Sequence, residues 1–187
     1  MDIFEQLKRE HGLILDVMDA FDAYAQGLLA GSEDQHGLSP FIVFVSDYMD
    51  GLHHAAEEKI LFRAMNEHGF AAEVGPISVM LREHDSGRSF TETLAAMEAA
   101  NASWTGVSRA RAAHAIAALS GLLRAHIAQE ERMLYPLACQ ALPEHALRAI
   151  NAEGERLVRE QGPLRLELER LGLELCGRFT PKAASVA

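Results

Sequence analysis

The sequence predicts an all-α protein, an antiparallel up-down four-helix bundle over residues 1–140 with a C-terminal helical extension over 141–187 packing on it. Three observations predict this. Four long segments carry apolar residues at helical spacing. Short connections marked by Gly and Pro separate them, and short connections make neighbouring helices run antiparallel. Nothing in the first four segments alternates convincingly with the two-residue period of a strand.

The first helix runs from about Asp2 to Ala30, with Phe4, Leu7, His11, Ile14, Leu15, Met18, Phe21 and Leu28 on one broad stripe. Gly31 to Gly37 is loop-like, and Ser39-Pro40 puts proline near the first turn of the second helix, where its missing N–H is tolerated. That helix carries Phe41 through His68 and stops at Gly69. Gly75-Pro76 opens the third, which passes Met80, Leu81, His84 and Leu94 on the way to about Ala100. Asn101 to Val107 reads as a connection, and Ser108 as the cap of an Ala-rich fourth helix reaching about Gln140. Beyond Leu142-Pro143 a helical stretch extends to about Gln161, Gly162-Pro163 breaks it, and a last short helix follows. Its Leu164, Leu168, Leu171 and Leu175 share one face, read as capping the bundle in preference to making a dimer contact.

Bulk properties narrow the function. A chain of 187 residues suits one domain with a terminal extension. A net charge of −10 argues against nucleic acid or an anionic membrane as partner, since both need a basic surface. No apolar run reaches the roughly 18 to 20 residues that span a bilayer. The start, MDIFEQLKREH, lacks the features of a secretory signal, so a cytoplasmic protein is expected. Cys139 and Cys176 show no CxxC spacing and read as two buried free thiols.

The chemistry lies in an eleven-residue pattern that occurs twice. His53 to Arg63 reads HHAAEEKILFR, and His126 to Pro136 reads HIAQEERMLYP. Residues four apart on a helix project from nearly one side, so each copy aims an imidazole and a carboxylate at the same point. Two such helices facing each other supply two nitrogen and two oxygen donors to a shared centre, the equipment of a metal site inside a bundle. In the first copy both His53/Glu57 and His54/Glu58 have this spacing. His54 aligns with Ile127, which cannot ligate, so the shared pairs are His53/Glu57 and His126/Glu130, with His54 and Glu58 left as neighbours or alternative ligands. His11 on the first helix and His84 on the third occupy apolar stripes at comparable depth and join the candidates. His36, His68, His114 and His145 lie near loops or on polar faces and are read as solvent-facing or local.

His11, His53-x3-Glu57, His84 and His126-x3-Glu130 on four successive helices resemble the hemerythrin-like (HHE cation-binding) family over roughly residues 1–140. The resemblance implies a cofactor of two iron ions, an oxo- or hydroxo-bridged di-iron centre. His11, His53, His84 and His126 would be its terminal nitrogen ligands, and Glu57 and Glu130 its bridging or flanking carboxylates. The oxygen carriers of the family have His-x3-His on the third helix and His-x4-Asp on the fourth. Here those positions are Arg88, which cannot ligate, and Glu130. The centre is therefore expected to have one imidazole fewer than the carriers. Arg88, one turn beyond His84, is expected to hydrogen-bond a bound peroxide, to pair with Glu57 or Glu130, or to lie at the surface. The implied function is binding or reduction of a small oxidant (dioxygen, nitric oxide or peroxide) in a stress or iron-homeostasis role, using a separate electron donor. The alternative is a non-catalytic iron- or oxygen-binding or sensing protein, and either would be a monomer or a homodimer. Tyr135 is assigned a packing role because its counterpart in the repeat is Phe62.

Overall fold

The structure, a computed structural model, describes residues 2–32, 34–100 and 104–179. Residues 101–103 of the predicted connection and 180–187 of the predicted extension lie outside the described residues. Among the described residues the protein is all helical, with six long helices and no strand.

Helix α1, Ile3–Leu29, starts where Asp2 accepts the Phe4 N–H at 2.9 Å. Gly31, at φ 98°, ends that stretch in a conformation that favours glycine. Helix α2 is continuous over 38–67, but it is not uniformly α-helical. Leu38–Val43 is α, Phe44–His54 and Glu57–Phe62 are π, and Arg63–Glu67 is α again. Gly75, at φ 77°, and Pro76 open α3, Pro76–Ala99. Helix α4 spans 106–141, built from Gly106–Gln129, a π turn at Glu130–Leu134 and Tyr135–Ala141. Its cap is Thr105, whose hydroxyl accepts the Ser108 N–H at 3.2 Å, so the predicted capping residue is three positions inside the helix. Helices α5, Glu144–Glu160, and α6, Gly162–Phe179, complete the chain.

Helix α1 packs along α4, α4 along α3, and α3 along α2, while α6 lies on α1 and α2. The core divides into two apolar clusters with a polar layer between them. Along α1, Phe4 and Leu7 belong to one cluster, His11 follows, and Ile14 begins the other. Along α2 the order reverses, from Leu52 through His53 and Glu57 to Ile60. It reverses again on α3, from Met80 through His84 to Leu94, and again on α4, from Ile127 through Glu130 to Leu134.

The last helix differs from its sequence reading in two respects. It has 18 residues and is not short. Its buried face is Arg165, Leu168, Gly172 and Leu175, while Leu164 is exposed. Gly172 decides how closely α6 approaches, because a Cβ there would stand 2.7 Å from the ring of the buried Phe44. The thiols also depart from expectation: both are free, but Cys139 is exposed and Cys176 only half-buried.

Candidate metal centre

The polar layer is unusual in what it buries. His11, His53, His54, Glu57, His84, His126 and Glu130 are each at most 2 % exposed. Two groups of potential ligand atoms form within it. One is His54, Glu57, His84 and His126, the other His11, His53, Glu57 and Glu130, and within each the atoms lie within 4.8 Å of one another. Glu57 is common to both. Glu130 also spans them, with Oε2 3.2 Å from His11 Nε2 and Oε1 3.2 Å from His126 Nε2.

All six residues singled out by the repeat and its helical frame are thus brought together. The exposed His36, His68, His114 and His145 stand apart from it. One count changes: five imidazoles converge, not four, because His54 stands in the cluster beside His84, the two rings stacked at 3.7 Å. The π segments explain how neighbours in sequence both reach the interior. His53 and His54 end the stretch Phe44–His54, and Glu57 begins the next one. A π turn is wider than an α turn and recurs at functional sites. Alignment of the two copies hides this, since Ile127, the counterpart of His54, lies in the α-helical part of α4.

Each of the five imidazoles is gripped from behind through Nδ1. Glu131 holds His11 at 2.9 Å, Glu10 holds His53 at 2.8 Å, and Asp50 holds His54 at 3.2 Å. Glu58 holds His84 at 2.7 Å, and Glu83 holds His126 at 2.8 Å. An ionised carboxylate only accepts, so each Nδ1 carries the hydrogen and each Nε2 lone pair is turned toward the centre. Of these five, Glu10 and Asp50 had local signals: Glu10 falls on the stripe of Leu7 and Ile14, and Asp50 is four residues before His54. Glu58 and Glu131 are the second Glu of the two repeat copies and each reaches a histidine of another helix, as does Glu83, which no local pattern marks.

Two assignments are corrected here. Tyr135 is not only packing: its hydroxyl donates to Glu57 Oε1 at 2.6 Å and stands 3.4 Å from His11 Nε2, with its ring stacked on His11. Its repeat counterpart Phe62 packs against the His84 ring instead. Arg88 pairs with neither Glu57 nor Glu130. It donates to Asp50 at 2.9 Å and to Glu58 at 2.7 Å, the two carboxylates that hold His54 and His84. Arg88→Met is therefore expected to weaken metal binding by about tenfold, the low end for loss of an outer-layer partner. Chelator competition measures this, and unchanged affinity would make Arg88 a surface residue only.

Protonation in the metal-free protein follows from this packing. Burial pulls the His84 imidazole down, but the nearby Glu57 carboxylate and the hydrogen bond with Glu58 outweigh it and raise it to about 9. Burial likewise opposes protonation of His11 and His126, and Glu130 outweighs it in both. Burial pushes Glu130 up, and the His11 and His126 rings beside it outweigh that and hold it well below the usual carboxylate range. Burial lowers His54 to about 3, against the pull of Asp50. Protons thus stand where a cation would, and metal binding must displace them.

The donor set fits a metal. His53 Nε2, Glu57 Oε2 and both Glu130 oxygens are buried without a hydrogen-bond partner. Imidazole nitrogens approach the carboxylate oxygens at 3.2–3.7 Å without hydrogen-bond geometry. His84 Nε2 and His126 Nε2 face each other at 3.1 Å, an unfavourable approach of two lone pairs unless a proton or cation lies between them. Buried unpartnered groups cost about 1–3 kcal/mol each, so an arrangement with several of them calls for an ion. A family model described as the Hemerythrin HHE cation binding domain matches residues 2–138. Comparison with curated proteins and with solved structures returned no match.

Proposed function

Because the chain belongs to the Hemerythrin HHE cation-binding family, we propose that it is a non-haem di-iron protein that binds or reduces a small oxidant: dioxygen, nitric oxide or peroxide. The observation that carries this reading is the pair of buried donor groups sharing Glu57. Iron would be held by His11, His53, Glu57 and Glu130 on one side and by His54, His84 and His126 with Glu57 on the other, and Glu130 faces both groups. Nitrogen-rich coordination favours iron over manganese or magnesium. The fold that goes with it is an antiparallel up-down bundle over 1–140 carrying a helical extension over 141–187. The alternating order in which α1 to α4 pass through the two apolar clusters supports that topology. His54 makes up the imidazole that Arg88 removes from the third helix, so reversible dioxygen binding stands beside reduction.

Bound iron supplies the electrons and the coordination position at which an oxidant is taken up. The chain's own residues do the rest. Five carboxylates fix five imidazoles with Nε2 inward. Tyr135 holds a proton at its hydroxyl, against Glu57 Oε1. Apolar clusters on both sides exclude water. No helix among the described residues is long and apolar enough to cross a membrane; a cytoplasmic location and a separate electron donor belong to the proposal.

Anaerobic loading with ferrous iron followed by air is the test. About two irons per chain, one for each donor group, with ferric bands in the near-ultraviolet, are expected. Loss of peroxide or nitric oxide on addition to the loaded protein would then make it an enzyme. Uptake without turnover would leave a binding or sensing protein, and no iron uptake would overturn the reading.

A further inference from the structure

The extension beyond residue 138 lies outside the family match, yet one of its side chains reaches the polar layer. Arg165 of α6 is 5 % exposed and donates to Glu10 Oε1, with Gln161 Oε1 3.3 Å from its other terminal nitrogen. Glu10 Oε2 holds His53 Nδ1 at 2.8 Å, and Gln6 donates to Glu10 Oε1 at 2.7 Å. Glu10 differs from the other four carboxylates behind the imidazoles. Its side chain is 3 % exposed, against 22–40 % for Glu83, Glu58, Asp50 and Glu131. Water can solvate those four, but a charge at Glu10 must be balanced by protein. Arg165 is that balance. The close seat of α6, which Gly172 permits against Phe44, is what lets the guanidinium reach it.

We propose that Arg165 is a positioning residue of the metal centre: by fixing and neutralising Glu10 it sets the orientation and basicity of His53, making the C-terminal helix a working part of the site. Without Arg165, Glu10 is a buried charge with no counterion and cannot keep its place behind the ring, so His53 becomes a less fixed and weaker donor to metal. Paired with Arg165, Glu10 stays against Nδ1 and keeps Nε2 turned inward. This rests on the di-iron reading, which the wild-type chain tests on its own.

The experiment uses the full chain loaded with ferrous iron, as wild type, R165M, R165K, E10Q and E10Q/R165M. Three quantities are read: release of iron to a ferrous chelator, the position of the ferric near-ultraviolet bands, and the melting of the metal-free chain. R165M and E10Q are expected to release iron about tenfold faster than wild type and to shift the bands. R165K, which keeps the charge, is expected to retain the wild-type bands. Adding R165M to E10Q should change release by less than about twofold, because the two act through one path. Should R165M not fold, the double variant, with no lone buried charge, and R165K carry the comparison. Wild-type bands and release in R165M, with only its melting lowered, would reduce Arg165 to a docking contact and overturn the inference. So would fully additive effects of E10Q and R165M. A wild-type chain that takes up no iron would overturn the di-iron reading and this inference with it, whereas loaded wild type with indifferent variants overturns this inference alone.

Discussion

Glu57→Gln is expected to strip both metal positions at once. Glu57 is the one residue common to the two donor groups, and it is fully buried. The amide keeps the volume, and its oxygen can still accept from the Tyr135 hydroxyl that now donates at 2.6 Å. What it loses is the negative charge and the second anionic oxygen facing His53 and His84 at 3.7 and 3.5 Å. Affinity should fall by well over the roughly tenfold that loss of an outer-layer partner costs, because a ligand itself is removed. His54→Ala is the control, since His54 belongs to one group only. It should cost one metal and leave the other. Metal analysis after loading and desalting reads both. If Glu57→Gln kept two metals per chain, the shared carboxylate would not be what joins the two halves.

Removing the metal should destabilise the whole bundle. Without a cation, the orphaned oxygens of Glu57 and Glu130 and the Nε2 of His53 stay buried in the layer that joins the two apolar clusters. Burial and the neighbouring Glu130 carboxylate both push Glu57 up, and only His53 and His84 outweigh them and hold it below the usual carboxylate range. A ligand present at about a hundred times its dissociation constant stabilises by about 2.7 kcal/mol per site. For a chain of this size each kcal/mol moves the melting temperature by about 2–4 °C. Two such sites together therefore place the metal-free melt about 10–20 °C below the loaded one. A calorimetric scan with and without chelator measures the gap. Coincident melts would mean that the layer is satisfied without an ion, and the centre would have to be read as hydrogen-bonded histidines.

Much of this was legible in one dimension. The helical period places His11, His53, Glu57, His84, His126 and Glu130 on inward stripes, and the duplicated HxAxEE pattern pairs them, so six buried donors follow from spacing alone. Helix ends follow from Gly31, Gly75-Pro76 and Pro143 for similar local reasons. Other features depend on tertiary structure. His54 joins the cluster because the backbone takes a π turn through it, a choice of hydrogen bonding that side-chain periodicity does not encode. The carboxylates behind His11 and His126 come from residues 120 and 43 positions away, so only the docking of α1 and α3 on α4 brings them into reach. Tyr135 becomes part of the site through a contact with Glu57 of another helix, which its own repeat neighbour does not predict. Arg165 is the extreme case. Its local surroundings read as one of three arginines on a leucine-rich helix, and only the seating of α6 makes it the countercharge of a buried carboxylate. Sequence by itself determined six of the inward donors, because the face each takes is set by the turn of one α-helix. Tertiary structure decided which of them meet and what holds them, because those are contacts between helices.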